Sequence, residues 1–253
     1  MKEPHLADDA FLADVEAARN EPGVHLWWLG QSGFLIGCDG RHLLVDPYLS
    51  DSLTAKYEGT ETPHGRMTRR IVRPERLAFV DLVLSTHGHT DHLDGETLRA
   101  VGAPLVCPAG IVDLARDRGA AEVVDVREGE AVDVGGVAIQ AVPAVHPGDH
   151  CVGYVLGLGP CRIYHSGDTT WVDPGMRGVD AALVPINGKL NNLDGREAAT
   201  LAHLIQAALA VPCHYDMFEF NTASPDEFAA ECERLGQPYR VLRQGERLSL
   251  AGR

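Results

Sequence analysis

The sequence predicts an α/β protein in which two β-sheets pack face to face between outer helices, a four-layer αββα sandwich. Two observations predict this fold class. Short apolar runs punctuated by glycine, aspartate and proline occur in two blocks, and each block is followed by alternating strand-like and helix-like patterns. That repeated order is expected when each of two sheets is covered by helices on one face. No Pro/Gly/Ser-rich linker divides the halves, so we expect one domain over residues 1–253.

The first block begins with a helix and continues as a meander. Apolar residues at helical spacing among acids predict a short amphipathic helix within residues 5–20. The next three apolar runs predict consecutive antiparallel strands, at residues 24–30, 33–39 and 41–47. A polar segment follows at residues 48–73. Because loops of this length are uncommon unless they are functional, we expect it to form a lid or a pocket wall.

The rest of the chain alternates between the two periodicities. The predicted strands lie at residues 81–87, 104–107, 122–126, 131–146, 151–158, 161–168, 180–186, 211–214, 238–242 and 247–250. The predicted helices lie at residues 94–101, 108–119, 196–210 and 225–235.

Composition limits the class of partner. Lys and Arg total 22 against 36 Asp and Glu, which gives a formal net charge of −14. Such a surface repels the phosphates of nucleic acids and of anionic membranes, so we expect a small-molecule substrate, no nucleic acid and no membrane. The N-terminus has no apolar run of signal-peptide length, and we expect a cytoplasmic protein.

The densest chemical signal is the run HGHTDH at residues 87–92, where the strand predicted at 81–87 ends. Three imidazoles and a carboxylate within six residues cannot all face a core. At a strand-to-helix turn they can converge on two nearby points, and Gly88 lets the backbone turn. Imidazole nitrogens and carboxylate oxygens suit zinc and its first-row neighbours. The alternative is a solvated loop that is rich in histidine.

Three further candidate ligands each end an apolar run, namely His146, Asp168 and His214. Each residue taken alone is an ambiguous signal, because a histidine at the end of a strand is often a capping residue or a core residue. Together they form a pattern, since strand ends on one edge of a sandwich meet in one groove. These ligands can be divided between two metal ions. His87, His89 and His146 are assigned to one ion and Asp91, His92 and His214 to the other, and Asp168 lies between the ions as a bridging ligand.

The sequence resembles the metallo-β-lactamase superfamily in four motifs that occur in this order: HGHTDH, a strand-end histidine, SGDT at 166–169 and PCH at 212–214. The resemblance covers residues 46–214 and implies the αββα sandwich and hydrolysis by a metal-bound hydroxide. We expect two divalent metal ions, zinc or manganese with iron also compatible, and we expect Asp91 to orient the nucleophile and carry a proton. Asp46 matches the position of a superfamily aspartate that hydrogen-bonds a ligand histidine. The alternative for Asp46 is a turn residue before Pro47.

Three longer phrases are similar to the L-ascorbate-6-phosphate lactonase branch: WWLGQSGFLI at 27–36, YHSGDT at 164–169 and VPCHYDMFEFNTASP at 211–225. That resemblance implies a small lactone or a sugar-phosphate-type substrate, and manganese. Substrate contacts are predicted for Lys189, Asn187 and Asn191 after the strand at 180–186, and for Tyr215 beside His214. A solvated loop or a packed ring is the alternative for each.

Other functions stay open at this point. A phosphodiesterase would use the same metals, because a pentacoordinate phosphorus needs the same hydroxide and charge stabilisation. A non-catalytic metal-binding protein is disfavoured by the complete ligand set. Arg66, Arg69 and Arg70 form either an anion site or a solvated face. A homo-oligomer is compatible with the superfamily resemblance, and no sequence feature marks an interface.

Overall fold

The computed structural model describes residues 1–148 and 150–251, which form two sheets between helices. The strands are β1 (Val24–Gly30), β2 (Gly33–Cys38), β3 (Arg41–Val45), β4 (Leu82–Leu84), β5 (Leu105–Pro108), β6 (Val123–Val126), β7 (Ala131–Val134), β8 (Val137–Pro143), β9 (Val152–Leu158), β10 (Cys161–His165), β11 (Ala181–Pro185), β12 (Ala210–Cys213) and β13 (Arg247–Leu250). The helices are α1 (Asp8–Ala18), α2 (Ser52–Lys56), α3 (Gly95–Val101), α4 (Val112–Asp117), α5 (Gly195–Leu204) and α6 (Asp226–Leu235). Short 3₁₀ turns lie at Pro74–Leu77 and Ala109–Ile111.

Each sheet joins an antiparallel part to a parallel part. The first sheet has the order β13-β1-β2-β3-β4-β5-β6, antiparallel from β13 to β3 and parallel from β3 to β6. The second has the order β12-β11-β10-β9-β8-β7, parallel from β10 to β12 and antiparallel elsewhere. Because β3, β4, β10 and β12 run in parallel sections, their carboxyl ends gather at one edge of the sandwich.

Strand β1 illustrates how the layers pack. Leu26 and Trp28 belong to the core between the two sheets, whereas Trp27 and Leu29 pack in the layer that contains α1, α3 and α4. This alternation follows from the two-residue period of a strand. Burying side chains of this size contributes about 1.5–3 kcal/mol each. The outer face of the second sheet is covered by α5 and α6, so the predicted αββα fold class is confirmed.

The structure corrects several predicted boundaries. The segment predicted as one strand at 131–146 is a hairpin, β7 and β8, that turns at Gly135 and Gly136 with positive φ. Residues 238–242 are not a strand: Tyr239 forms one isolated bridge with Ala210. The C-terminal strand β13 crosses back to the first sheet and pairs antiparallel with β1.

Within the described residues, no helix combines the length and apolar character that a bilayer crossing requires.

Candidate metal centre

All seven predicted ligands lie at the edge where strands of both sheets end. The HGHTDH loop connects β4 to α3, His146 follows β8, Asp168 follows β10 and His214 follows β12. Asp46 follows β3 at the same edge. The sheet topology therefore brings together side chains that lie more than one hundred positions apart in the chain, such as His87 and His214.

The HGHTDH loop is held by hydrogen bonds to its own carbonyl groups. The Ser85 hydroxyl oxygen lies 3.0 Å from the carbonyl oxygens of both His87 and His92, within hydrogen-bonding distance of each. The Arg118 guanidinium donates to the Gly88 carbonyl at 2.8 Å. A Cβ at Gly88 would lie 2.9 Å from the Cδ2 atom at the flexible end of the Leu114 side chain, so a larger residue there would require that side chain to shift. These contacts fix the backbone and leave the imidazole rings to face the groove.

The first ligand group consists of His87, His89 and His146, as predicted. The Nδ1 atom of His89 lies 3.0 Å from Nε2 of His87 and 3.2 Å from Nε2 of His146. Burial lowers the pKa of all three imidazoles, and lowers that of His87 well below the ordinary value. The rings are therefore neutral near pH 7, which is the protonation state that binds a metal ion.

The second ligand group consists of Asp91, His92 and His214, whose ligand atoms lie within 4.8 Å of one another. The Nδ1 atom of His92 donates to Asp46 at 2.7 Å, so Nε2 is the ring atom that faces the group. Within the described part of the chain, this buried Nε2 atom has no hydrogen-bond partner. A buried, unpartnered imidazole nitrogen beside carboxylates is the arrangement expected of a metal ligand, so the residues fit a divalent ion.

Asp168 lies between the two groups. One carboxylate oxygen is 3.4 Å from Nε2 of His92, and the other is 3.2 Å from Nε2 of His214 and 3.9 Å from Nε2 of His146. The Ser32 hydroxyl donates to the first oxygen at 3.3 Å. Burial alone raises the pKa of Asp168, but His214 and His92 more than offset this and hold it well below its usual range. A charged carboxylate therefore faces both groups.

Asp46 is fully buried behind His92. Besides the His92 ring, its carboxylate accepts hydrogen bonds from the Thr86 backbone N–H at 2.7 Å and from the Thr86 hydroxyl at 2.6 Å. Burial alone would lower the pKa of His92, yet Asp168, Asp46 and Asp91 together raise it well above the ordinary value. Three carboxylates around one ring, two of them buried, demand positive charge nearby, and divalent ions would supply it.

Gln31 is a member of the site that the sequence reasoning missed. Its side-chain Nε2 donates to the Asp91 carboxylate at 2.8 Å and lies 3.1 Å from Nε2 of His214. Its carbonyl accepts from the His214 backbone N–H at 2.8 Å and from the Trp28 indole at 2.9 Å. Gln31 and Ser32 are polar residues in the turn between two wholly buried strands, and both are themselves fully buried. Two polar residues between runs that are largely apolar were the signal available in the sequence.

A cavity of about 590 Å³ opens above these ligands. Its floor includes His89, Asp91, His146 and Asp168. Another part of its lining, called here the aromatic wall, consists of four rings: Tyr57, His64, Phe218 and Phe220. The segment at 48–73 therefore forms one side of the pocket and supplies two of these rings.

Among the four predicted substrate residues, the structure brings Asn191 to the cavity and commits the other three to contacts within the protein. Asn191 lines the cavity from a left-handed turn with φ of 62°. The Lys189 ammonium donates to the Phe220 carbonyl at 2.9 Å, and the Asn187 amide donates to the Asn221 side chain at 2.8 Å. Both residues therefore brace the segment that carries part of the aromatic wall.

Tyr215 points away from the cavity although it follows a predicted ligand directly. Its hydroxyl donates to the Leu242 carbonyl, and its ring lies 4.3 Å from that of Trp28 between the sheets. Only 3% of the residue is exposed. The reason is local: His214 has φ of 63° and faces the groove, so the next side chain turns into the core.

Comparison with known proteins agrees with this geometry. A profile of the β-lactamase superfamily domain matches residues 41–215. A UPF0173 metal-dependent hydrolase of Methanopyrus kandleri is 32% identical over 237 residues, which covers 87% of this chain and 96% of the relative.

Solved structures share the fold. The metallo hydrolase Igni18 of Ignicoccus hospitalis superposes with a TM-score of 0.70 at 24% identity, over 90% of this chain and 98% of that one. An isothiocyanate hydrolase from Delia radicum gut bacteria superposes with a TM-score of 0.74 at 19% identity, over 90% and 99% of the two chains.

Proposed function

Because this chain belongs to the β-lactamase superfamily and is a metal-dependent hydrolase, we propose that it opens the ring ester of a small lactone on two divalent metal ions. The observation that carries the two-metal proposal is the position of Asp168. Its two oxygens face imidazoles of both ligand groups, as a bridging carboxylate must. A single-metal site would leave one group of buried ligands without a cation.

In this proposal each ion has its own protein ligands. His87, His89 and His146 would hold one ion, and Asp91, His92 and His214 would hold the other, with Asp168 placed to serve both. The mixed set of imidazoles and carboxylates suits zinc and manganese and also accepts iron. When bound, two such ions would lower the pKa of a water molecule to about 7 and would supply positive charge for the oxyanion of the substrate carbonyl.

Asp91 is the residue proposed to handle the proton. Burial by itself raises the pKa of Asp91, but His92 and His214 keep it below its ordinary value, so the carboxylate is charged at neutral pH. The Gln31 amide holds one oxygen of Asp91 and thereby fixes the carboxylate plane. Asp91 can then orient the attacking water and accept its proton.

The products follow from the same steps. Water adds to the carbonyl carbon and the acyl carbon–oxygen bond of the ring breaks. Asp91 returns the proton to the departing ring oxygen. The product is the open-chain hydroxy acid, and the carboxylate of Asp91 is regenerated, so no other reactant is needed.

The cavity lining favours a neutral lactone over a sugar-phosphate lactone. Of the described residues that line it, only Lys56 and Arg118 carry a permanent positive charge. Arg118 uses one terminal nitrogen, Nη1, for the carbonyls of Gly88 and Leu93. A phosphate group placed away from the metal ions would therefore meet one exposed lysine and a partly engaged guanidinium, and no cluster of cations.

The test combines metal analysis with a substrate panel. Protein purified without added metal is examined by elemental analysis and then assayed with γ-butyrolactone, an acyl-homoserine lactone, a sugar-phosphate lactone and bis-p-nitrophenyl phosphate. About two ions per chain and turnover of a neutral lactone are the expected results. Cleavage of the phosphodiester alone would replace the proposal with a phosphodiesterase. Fewer than about one ion per chain after reconstitution would overturn the two-metal assignment.

A further inference from the structure

The rings of the aromatic wall contact one another and present a continuous apolar surface. Tyr57 and His64 stack with ring centroids 4.1 Å apart and planes 20° apart. Phe220 lies 4.4 Å from the His64 ring, and Phe218 lies 5.1 Å from it. Phe218 is only 1% exposed and supports the other three from behind. The wall thus offers the faces and edges of Tyr57, His64 and Phe220 to the cavity.

The wall is fixed in place by contacts outside the cavity. Arg66 donates to the Asp51 carboxylate at 2.8 Å and to the Ser50 carbonyl at 2.6 Å. The Met67 backbone N–H donates to the Met217 carbonyl at 2.8 Å, which ties the segment at 48–73 to the one that follows His214. Binding to such a wall requires little ordering of the protein, so affinity is not lost to that cost.

The arginines near the wall do not form an anion site. Arg66 is paired with Asp51, and Arg69 donates to Glu3 at 2.9 Å and to Asp8 at 3.0 Å. Arg70 donates to the Leu49 carbonyl at 3.2 Å. The rest of the lining includes two leucines, Leu53 and Leu190, together with Thr62, Asn221 and Lys56. The Lys56 ammonium lies 5.1 Å from the centroid of the Tyr57 ring, so the aromatic wall has one exposed lysine beside it.

We infer that the aromatic wall binds a flat, uncharged substituent of the substrate, so that the preferred lactones carry an aryl group. This inference rests on the proposed lactone hydrolysis, because the ring ester must lie on the metal side of the cavity. The substituent then points across about 590 Å³ of space to Tyr57, His64 and Phe220. Aromatic rings favour stacked or edge-to-face partners, and all three residues offer such geometry.

The test compares two lactones that differ by one ring. The metal-loaded protein is assayed with γ-phenyl-γ-butyrolactone and with γ-butyrolactone, and the ratio of their kcat/KM values is measured. We expect a ratio of about ten or more in favour of the phenyl lactone. In Phe220→Ala the ratio should fall about tenfold through KM of the phenyl lactone. Phe79→Ala is the matched control, because Phe79 is 37% exposed, packs on His42 and does not line the cavity.

Binding of unreactive lactams separates this inference from the proposed reaction. The phenyl-substituted and unsubstituted γ-butyrolactams are titrated into metal-loaded protein and followed by NMR. If neither lactone is hydrolysed but the phenyl lactam binds about tenfold more tightly and Phe220→Ala removes the difference, the wall is assigned correctly and the reaction is not. If lactones are hydrolysed with a ratio near one, or a sugar-phosphate lactone is the better substrate, the reaction stands and the aryl preference is overturned.

Discussion

The two sides of the cavity are stabilised by different forces. The metal-binding floor is built from charged and polar groups, and three of them are oriented by a buried partner: Asp46 behind His92, Gln31 beside Asp91 and Ser32 beside Asp168. The aromatic wall is built from ring contacts and is anchored by Arg66 and by backbone pairing. The seven residues of the floor are His87, His89, Asp91, His92, His146, Asp168 and His214.

This difference separates the choice of reaction from the choice of substrate. Buried carboxylates and imidazoles are costly without a cation, so the floor should respond strongly to metal removal and to the loss of any one charge. Ring contacts are individually worth about 0.5–1.5 kcal/mol beyond area burial, so the wall should respond weakly and selectively. Changes in the floor should therefore alter metal binding and kcat, whereas changes around the wall should alter KM.

Asp168→Ala should have the largest effect. Removal of the bridging carboxylate takes a ligand from both ions, and the loss of several kcal/mol of transition-state stabilisation corresponds to about a 1000-fold fall in kcat/KM. Elemental analysis should give about one ion per chain or fewer. Asp173→Ala removes an exposed carboxylate paired with Arg177 and serves as the control. Wild-type metal content in Asp168→Ala would contradict the bridging role.

Asp46→Asn should have the next largest effect. The asparagine keeps the shape of Asp46 and can accept from the Thr86 N–H, but it no longer provides a charged acceptor for the His92 ring. Metal affinity should fall by about 10–100-fold, as measured by competition with a chromogenic chelator. The thermal unfolding of metal-free protein should change little by comparison. An unchanged affinity would reduce Asp46 to a turn residue before Pro47.

The sequence predicts the floor better than the wall for a physical reason. Four ligands lie within six residues, and the other three each end a buried strand, so hydrophobic periodicity and local spacing are sufficient to locate them. The wall joins two segments whose pairing places Arg66 against Met217, 151 positions away in the chain. No local pattern marks that contact.

A position next to a metal ligand in the sequence was also a poor guide to the direction in which a side chain points. Tyr215 follows His214, yet its ring packs against Trp28 because adjacent residues point to opposite sides of the backbone. Residues 238–242 have a strand-like composition, but Pro238 has no N–H to donate and only one bridge forms. In both cases the outcome depends on backbone pairing that the sequence pattern does not specify.

Gln31→Met should have an intermediate effect that links the two sides of the comparison. The substitution keeps the size of a fully buried side chain and removes its hydrogen bond to the Asp91 carboxylate. A hydrogen bond to a charged group contributes about 1.5–3 kcal/mol, so kcat should fall by about tenfold or somewhat more. KM should stay nearly constant, because Gln31 does not line the cavity. If KM rose and kcat did not fall, Gln31 would act on the substrate and not on Asp91.

Lys189→Ala should have the smallest effect and decides between two roles for this lysine. As a brace, its ammonium donates to the Phe220 carbonyl from an exposed loop, and such a bond contributes about 0.5–1 kcal/mol. KM for the phenyl lactone should then rise about two- to fivefold with kcat unchanged. Direct binding of an anionic substituent predicts a different result. The loss of kcat/KM in Lys189→Ala would then be about tenfold or more, would be confined to charged lactones and would be reduced by added salt. Steady-state assays of neutral and charged lactones at two salt concentrations separate the outcomes. Removal of a brace weakens binding to the aromatic wall for every aryl substrate alike.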